Sequence, residues 1–159
     1  MDFLFSTTLG KMITTFFVSM VPVIELRGAI PIATASGLNL WVAIAISVVG
    51  NMVPVPFIII FIRKIFEWIR RKNEKFNNLV LYFENKAEKH SEVVNKYKFW
   101  GLFILVAIPL PGTGAWTGAL VAAMMEMRLK DAVPSIGLGV IAAGIIVAVF
   151  TYGVTAFVF

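Results

Sequence analysis

Two stretches of this chain carry no Asp, Glu, Lys, Arg or His over a length that can cross a bilayer. Leu38–Ile62 runs 25 residues and Ala132–Phe159 runs 28, and about 20 apolar residues suffice for a hydrocarbon core. A chain so patterned is expected to be an all-α integral membrane protein. Its composition agrees: 59% of the 159 residues are hydrophobic and 14% charged, against about 25% charged in soluble domains.

The charges are also segregated. Ten of the fourteen Lys/Arg and five of the nine Asp/Glu lie between Arg63 and Lys98. Excess Lys/Arg beside membrane segments marks the cytoplasmic side, so the net charge of +5 is read as topology and not as nucleic-acid binding. No Cys is present, which excludes disulfides, thiolate metal sites and thiol nucleophiles. The single His, His90, sits among Lys and Glu and gives no metal cluster. No cofactor is implied, no enzyme activity is expected, and Met1-Asp2-Phe3 lacks the basic start of a cleavable signal.

Two further apolar segments are interrupted. Met12–Gly37 contains Pro22, Glu25, Arg27, Gly28 and Pro31; Phe99–Met125 contains Pro109, Pro111, Gly112 and Gly114. The order is thus broken, clean, charged, broken, clean. Sliding the chain by 90 residues sets Gly28-Ala29-Ile30 over Gly118-Ala119-Leu120 and Ala33 over Ala123. Paired interrupted segments in two halves are a mark of transporter repeats. If all four segments cross fully, Arg128 and Lys130 fall outside, against the positive-inside rule. If the broken segments are re-entrant hairpins, twelve of the fourteen basic residues are cytoplasmic, and Pro and Gly serve the tight reversals. The hairpin reading is preferred, with four full spans as its alternative.

The expected layout is a single membrane domain with an inverted repeat. It comprises hairpin 1 (1–37), a transmembrane helix (38–62), a cytoplasmic amphipathic helical segment (63–98), hairpin 2 (99–127) and a second transmembrane helix (130–157). Non-helical backbone at membrane depth must be buried in protein or face water, so the two hairpin tips are expected to meet at the midplane. Within 63–98, Phe76, Leu79, Val80, Phe83, Ala87, Val94 and Tyr97 recur at helical spacing. That pattern fits a helix on the anionic inner leaflet or under the bundle.

Glu25 and Arg27 stand out within Pro22-Val-Ile-Glu25-Leu-Arg27-Gly28-Ala-Ile-Pro31. Each costs about 2.5–3.5 kcal/mol at a helix centre on an insertion scale. Two positions apart on a straight helix they point about 200° apart, but in a broken turn they can converge. Either they form an ion pair that fixes the hairpin, or Glu25 exchanges protons while Arg27 holds an anion. The second cluster is Pro109-Leu-Pro111-Gly112-Thr113-Gly114-Ala-Trp116-Thr117-Gly118. Here Thr113 or Thr117 can cap the helix that resumes, and a helix start is a natural anion cradle, with phosphate the obvious guest. Such a turn can equally serve tight packing alone. Asn51 can face the same cavity, although such a residue more often bonds a neighbouring helix. Gly139 and Ala143 read as helix packing. Trp41, Trp68 and Trp100 read as interfacial anchors, while Trp116 either lines the cavity or packs in the core.

With these two stretches the chain resembles the small multi-drug export protein family, short prokaryotic membrane proteins. The resemblance covers nearly the whole length and implies export from the cell without fixing a substrate. More distantly the layout is similar to the DedA (VTT-domain) superfamily, with its opposed re-entrant hairpins and roles in proton-dependent transport or lipid translocation. Glu25 fits the acidic position of the first DedA hairpin. The arginines of the second have no counterpart in the Pro-Gly turn, because Arg27 sits in the first.

The leading expectation is a proton-coupled translocase of an amphipathic or lipid-phosphate substrate in the prokaryotic inner membrane. Membrane lipids and protons are its partners, and a homodimer is compatible with two spans enclosing little volume. An exporter of lipophilic cations, with Glu25 as counter-charge, is the alternative. A non-transporting scaffold that docks a partner through Arg63–Lys98 is a third. The topology is directly testable, because the chain has no native thiol. Asp2→Cys and Phe159→Cys should react with a membrane-impermeant maleimide in intact cells, and Asn85→Cys should not. Cytoplasmic termini would establish four full spans instead.

Overall fold

The computed structural model describes residues 7–75, 77–78, 81, 91–110 and 112–158, and among them there is helix but no strand. Helices α1 (Thr8–Met20) and α2 (Glu25–Ala35) form a hairpin. Helices α3 (Leu40–Met52) and α4 (Pro54–Lys72) follow, then α5 (Ser91–Ala107) and α6 (Ala115–Met124) as a second hairpin, and α7 (Leu129–Val158). At 1.5 Å per residue, α1, α2 and α6 are only about 20, 17 and 15 Å long, whereas α7 reaches about 45 Å.

Local chemistry sets these boundaries. The Thr7 side chain caps α1 by accepting from the Gly10 amide at 3.1 Å. Asn39 caps α3 by accepting from the Trp41 amide at 3.0 Å. Pro54 and Pro56 do not end the helical path, because Val53 keeps right-handed helical angles and proline is tolerated in a first turn. The α3 and α4 segments therefore run as one rod, Leu40–Lys72, 33 residues long. This rod and Leu129–Gly153 are the two helices long and apolar enough to cross a membrane. Only 28% and 44% of their most apolar windows are buried, unlike the core helix of a soluble protein. Trp41, Phe57, Phe61, Val149 and Phe150 all point outward. An outer surface of this kind marks a face that lipid or another protein covers.

The hairpins sit at opposite ends of the rod. Lys11 Nζ donates to the Ser36 carbonyl at 2.5 Å, which closes the base of the first hairpin beside the start of α3. At the basic end of α4, Arg70 pairs with Glu126 at 3.2 Å and Lys98 Nζ reaches the Met125 carbonyl at 3.1 Å. The base of the second hairpin is thus fixed there. Between them Ile30, Val55, Ile59, Val106, Ile136 and Val140 form a fully buried core. Gly139 permits the closest approach of α5 and α7, since a Cβ there would meet Val106 and the Phe103 carbonyl oxygen within 3.0 Å.

The 90-residue register recurs in three dimensions. The second arms begin at Glu25 and Ala115, and 115 − 25 = 90. Gly28 and Gly118 are each the fourth residue of their helix, and Ala33 and Ala123 are both buried. The breaks are narrower than the sequence predicts. Gly28 and Pro31 lie inside α2, and the first reversal is confined to Val21–Ile24. Residues 63–72 are not a separate amphipathic helix but the continuation of α4. Residues 91–98 are the opening turns of α5, so the first arm of hairpin 2 starts before Phe99. Phe76, Leu79, Val80, Phe83, Ala87 and His90 lie outside the described residues.

The first reversal carries backbone strain. Val23 has φ +80° although it is β-branched, a conformation that costs an L-residue about 1–2 kcal/mol. The residue is 91% exposed, so no packing compensates. Val23→Gly should therefore raise stability by about 1 kcal/mol, read as a higher helical unfolding temperature in detergent. A lower temperature would mean that the valine side chain has a contact with lipid or a partner that matters more.

Candidate functional site where the hairpin tips meet

Glu25 is the first residue of α2 and adopts φ +46°. This left-handed step turns its side chain out of the helical progression, so it points to the same side as Arg27. The two therefore pair, with Arg27 Nη2 3.5 Å from Glu25 Oε2. The Glu25 residue is 3% exposed. Its Oε1 accepts the Trp116 amide of α6 at 3.2 Å, and the neighbouring Ala115 amide also faces the carboxylate.

Arg27 reaches across as well. Nη1 donates to the Leu110 carbonyl and Nη2 to the Thr113 carbonyl. The second hairpin reciprocates through Trp116, whose indole Nε1 donates to the Met20 carbonyl at 3.1 Å, at the end of α1. Each tip thus satisfies backbone groups of the other.

Gly114 makes this contact possible. It has φ +125°, and a Cβ there would collide with both the Glu25 carboxylate and the Arg27 guanidinium. It is also the N-cap of α6, without a side-chain cap. The expectation that Thr113 or Thr117 caps α6 is not met. Thr113 Oγ1 donates within its own turn, 2.6 Å from the Ile108 carbonyl and 2.7 Å from that of Leu110. It accepts the Leu110 amide at 3.1 Å, and Thr117 Oγ1 bonds the Gly112 carbonyl at 2.9 Å. The cap comes from the other hairpin, because a carboxylate is a stronger acceptor at a positive helix end than a hydroxyl.

Glu25, Arg27, Pro109, Gly114 and Asn51 line one small cavity of about 10 Å³, with Ala143 and Val140 of α7 on its far side. Gly112 and Thr117 support the turn beside it, and Gly28 lies one residue beyond Arg27 in α2. Pro111 lies outside the described residues. Asn51 is fully buried, yet neither its Oδ1 nor its Nδ2 has a partner. The expected bond to a neighbouring helix is absent. The gaps in the sequence reading are the carbonyls of Met20, Leu110 and Thr113, which carry no residue-type signal.

The mutual capping is testable by coupling. Arg27→Ala and Gly114→Ala should each destabilise the protein by about 2–4 kcal/mol, since each leaves Glu25 without part of its pairing. Combined, they should cost clearly less than the sum. Strict additivity in thermal or denaturant unfolding would mean that the two positions act independently.

No curated protein and no solved structure matches the chain. The family described as “Putative small multi-drug export protein” matches residues 25–146, which begins at Glu25 and includes both partners of the tip contact. By this match over 122 of its 159 residues, the chain belongs to the small multi-drug export protein family.

Proposed function

We propose that the chain is a proton-coupled transporter of the prokaryotic cytoplasmic membrane, moving an anionic amphipath such as a lipid phosphate. In this reading both hairpins are re-entrant and enter from opposite faces, as an inverted repeat. Glu25 exchanges protons, and Arg27 with the start of α6 receives the anionic group. The opposed hairpins on one rod and the shared 90-residue register support that topology.

The observation that carries the proposal is the charge balance at the tips. One carboxylate, Glu25, faces both a guanidinium and the positive end of α6. A helix start is equivalent to roughly half a positive charge, so the site is left positive even when Glu25 is ionised. The cavity of about 10 Å³ holds no more than a water molecule. A substrate anion must therefore take the place of the Glu25 carboxylate. Protonation neutralises Glu25 and weakens both its ion pair and its hold on the Trp116 amide. The amide is then free for a phosphate oxygen, and the guanidinium, still bonded to the Leu110 and Thr113 carbonyls, has N–H donors to spare for it, so proton uptake and anion binding go together.

A second reading takes the export of drugs that the family description names to be export of lipophilic cations. There the cation replaces Arg27 beside Glu25, and protons compete with it.

Binding at equilibrium in nanodiscs separates the two, using an anionic phosphodiester lipid and a quaternary ammonium amphiphile, whose charges are constant with pH. The phosphodiester lipid should bind more tightly as pH falls. Arg27→Ala should weaken it at least tenfold, in line with about 1.5–3 kcal/mol for a charged hydrogen bond. Arg27→Lys should weaken it less, because it keeps the charge and loses only the planar fork. Glu25→Gln should bind it without pH dependence. Quaternary ammonium binding that strengthens as pH rises and vanishes in Glu25→Gln would establish the cation reading instead.

A further inference from the structure

A buried primary amide with all its hydrogen-bonding capacity unused is costly, of the order of 1–3 kcal/mol for each group left without a partner. Asn51 is such a residue. It is 0% exposed on α3, its Oδ1 and Nδ2 are both unpartnered, and it lines the cavity that Glu25 and Arg27 also line. Its neighbours there are otherwise Leu26, Val106, Pro109, Gly114, Ala115, Val140 and Ala143. Among the described residues, Arg27 is therefore the only other ionisable side chain lining the cavity with Glu25.

An ionised carboxylate has no use for the Asn51 oxygen, since both present lone pairs. A protonated carboxyl does. Its O–H donates to Oδ1 while its carbonyl accepts from Nδ2, a closed two-bond ring that the charged form cannot make. We propose that Asn51 is the second seat of Glu25, a positioning residue that receives the carboxyl group once it is protonated. The proton comes from solvent and stays on the Glu25 oxygen that faces Oδ1. In the closed arrangement Glu25 serves α6 and Arg27, and Asn51 is empty-handed. After protonation Glu25 serves Asn51, and the Trp116 amide is released together with the side of the Arg27 guanidinium that had paired with Glu25.

The inference rests on the reading of Glu25 as the proton-exchanging group, but its test needs no transport. The infrared carbonyl band of a protonated carboxyl reports both its protonation and its hydrogen bonding. The band from Glu25 is identified in a pH titration of the full chain in nanodiscs as the one missing from Glu25→Gln. In Asn51→Leu, which removes a buried group without a partner and keeps the volume, this band should move to higher wavenumber. Its midpoint should fall by about one pH unit, the loss expected for two neutral hydrogen bonds. Asn51→Thr, which keeps a single hydroxyl, should displace the band part-way and serves if the leucine variant does not assemble. A Glu25 band with the same position and midpoint in wild type and both variants would overturn the second seat while leaving proton coupling intact. A Glu25 band that responds to Asn51, together with lipid binding indifferent to Glu25→Gln, would uphold the second seat and remove the proposed function. No Glu25 band across the stable pH range would overturn both.

Discussion

Short helices leave their last carbonyls and first amides without partners, and in an apolar surrounding such groups cost free energy until something pairs with them. This protein begins α6 at the fully buried Ala115 and brings the ends of α1 and α5 up beside it. The tips solve the problem jointly. Trp116 takes the carbonyl of Met20, Arg27 takes those of Leu110 and Thr113, and Glu25 takes the amide of Trp116. The opposed placement of the hairpins, the bare backbone at Gly114 and the left-handed step at Glu25 all serve that exchange.

The same economy makes the contact responsive. An ion pair removed from water loses hydration that only good geometry and further hydrogen bonds recover. Here a proton on one atom would alter several bonds at once, because Glu25 is shared between a guanidinium and a helix start. A structural reading and a functional reading of these charges are therefore compatible. In the proposed function, the group that holds the tips together is also the one placed to release them.

Much of the architecture is legible in the sequence. The charge-free runs announce the two long helices, and Pro22 and Gly112 mark where the hairpins turn. The prominence of Glu25 and Arg27 follows from their cost in lipid. Other features depend on backbone geometry that residue types do not encode. Pro54 and Pro56 fall inside the charge-free run, and it is the right-handed helical angles of Val53 that carry the helix through them. Thr113 reads as a cap because threonine commonly is one, but a carboxylate 88 residues earlier, 113 − 25 = 88, displaces it from that role. Asn51 reads as helix glue, and only the packing of α3 against the tips reveals an amide with nothing to hold.

The 90-residue register has a consequence for how such a chain can come apart or be rebuilt. The two halves are alike in layout but unlike at the point where they touch. One presents a carboxylate and a guanidinium; the other presents amides, carbonyls and an indole. Two copies of the first half would set acid against acid and base against base, with no backbone donor between them. Two copies of the second would bring amides, carbonyls and indoles together with no charge to tie them. Resemblance between the halves therefore stops where selection for self-recognition would have required it to be perfect, and the tip contact is complete only as a pairing of opposites within one chain.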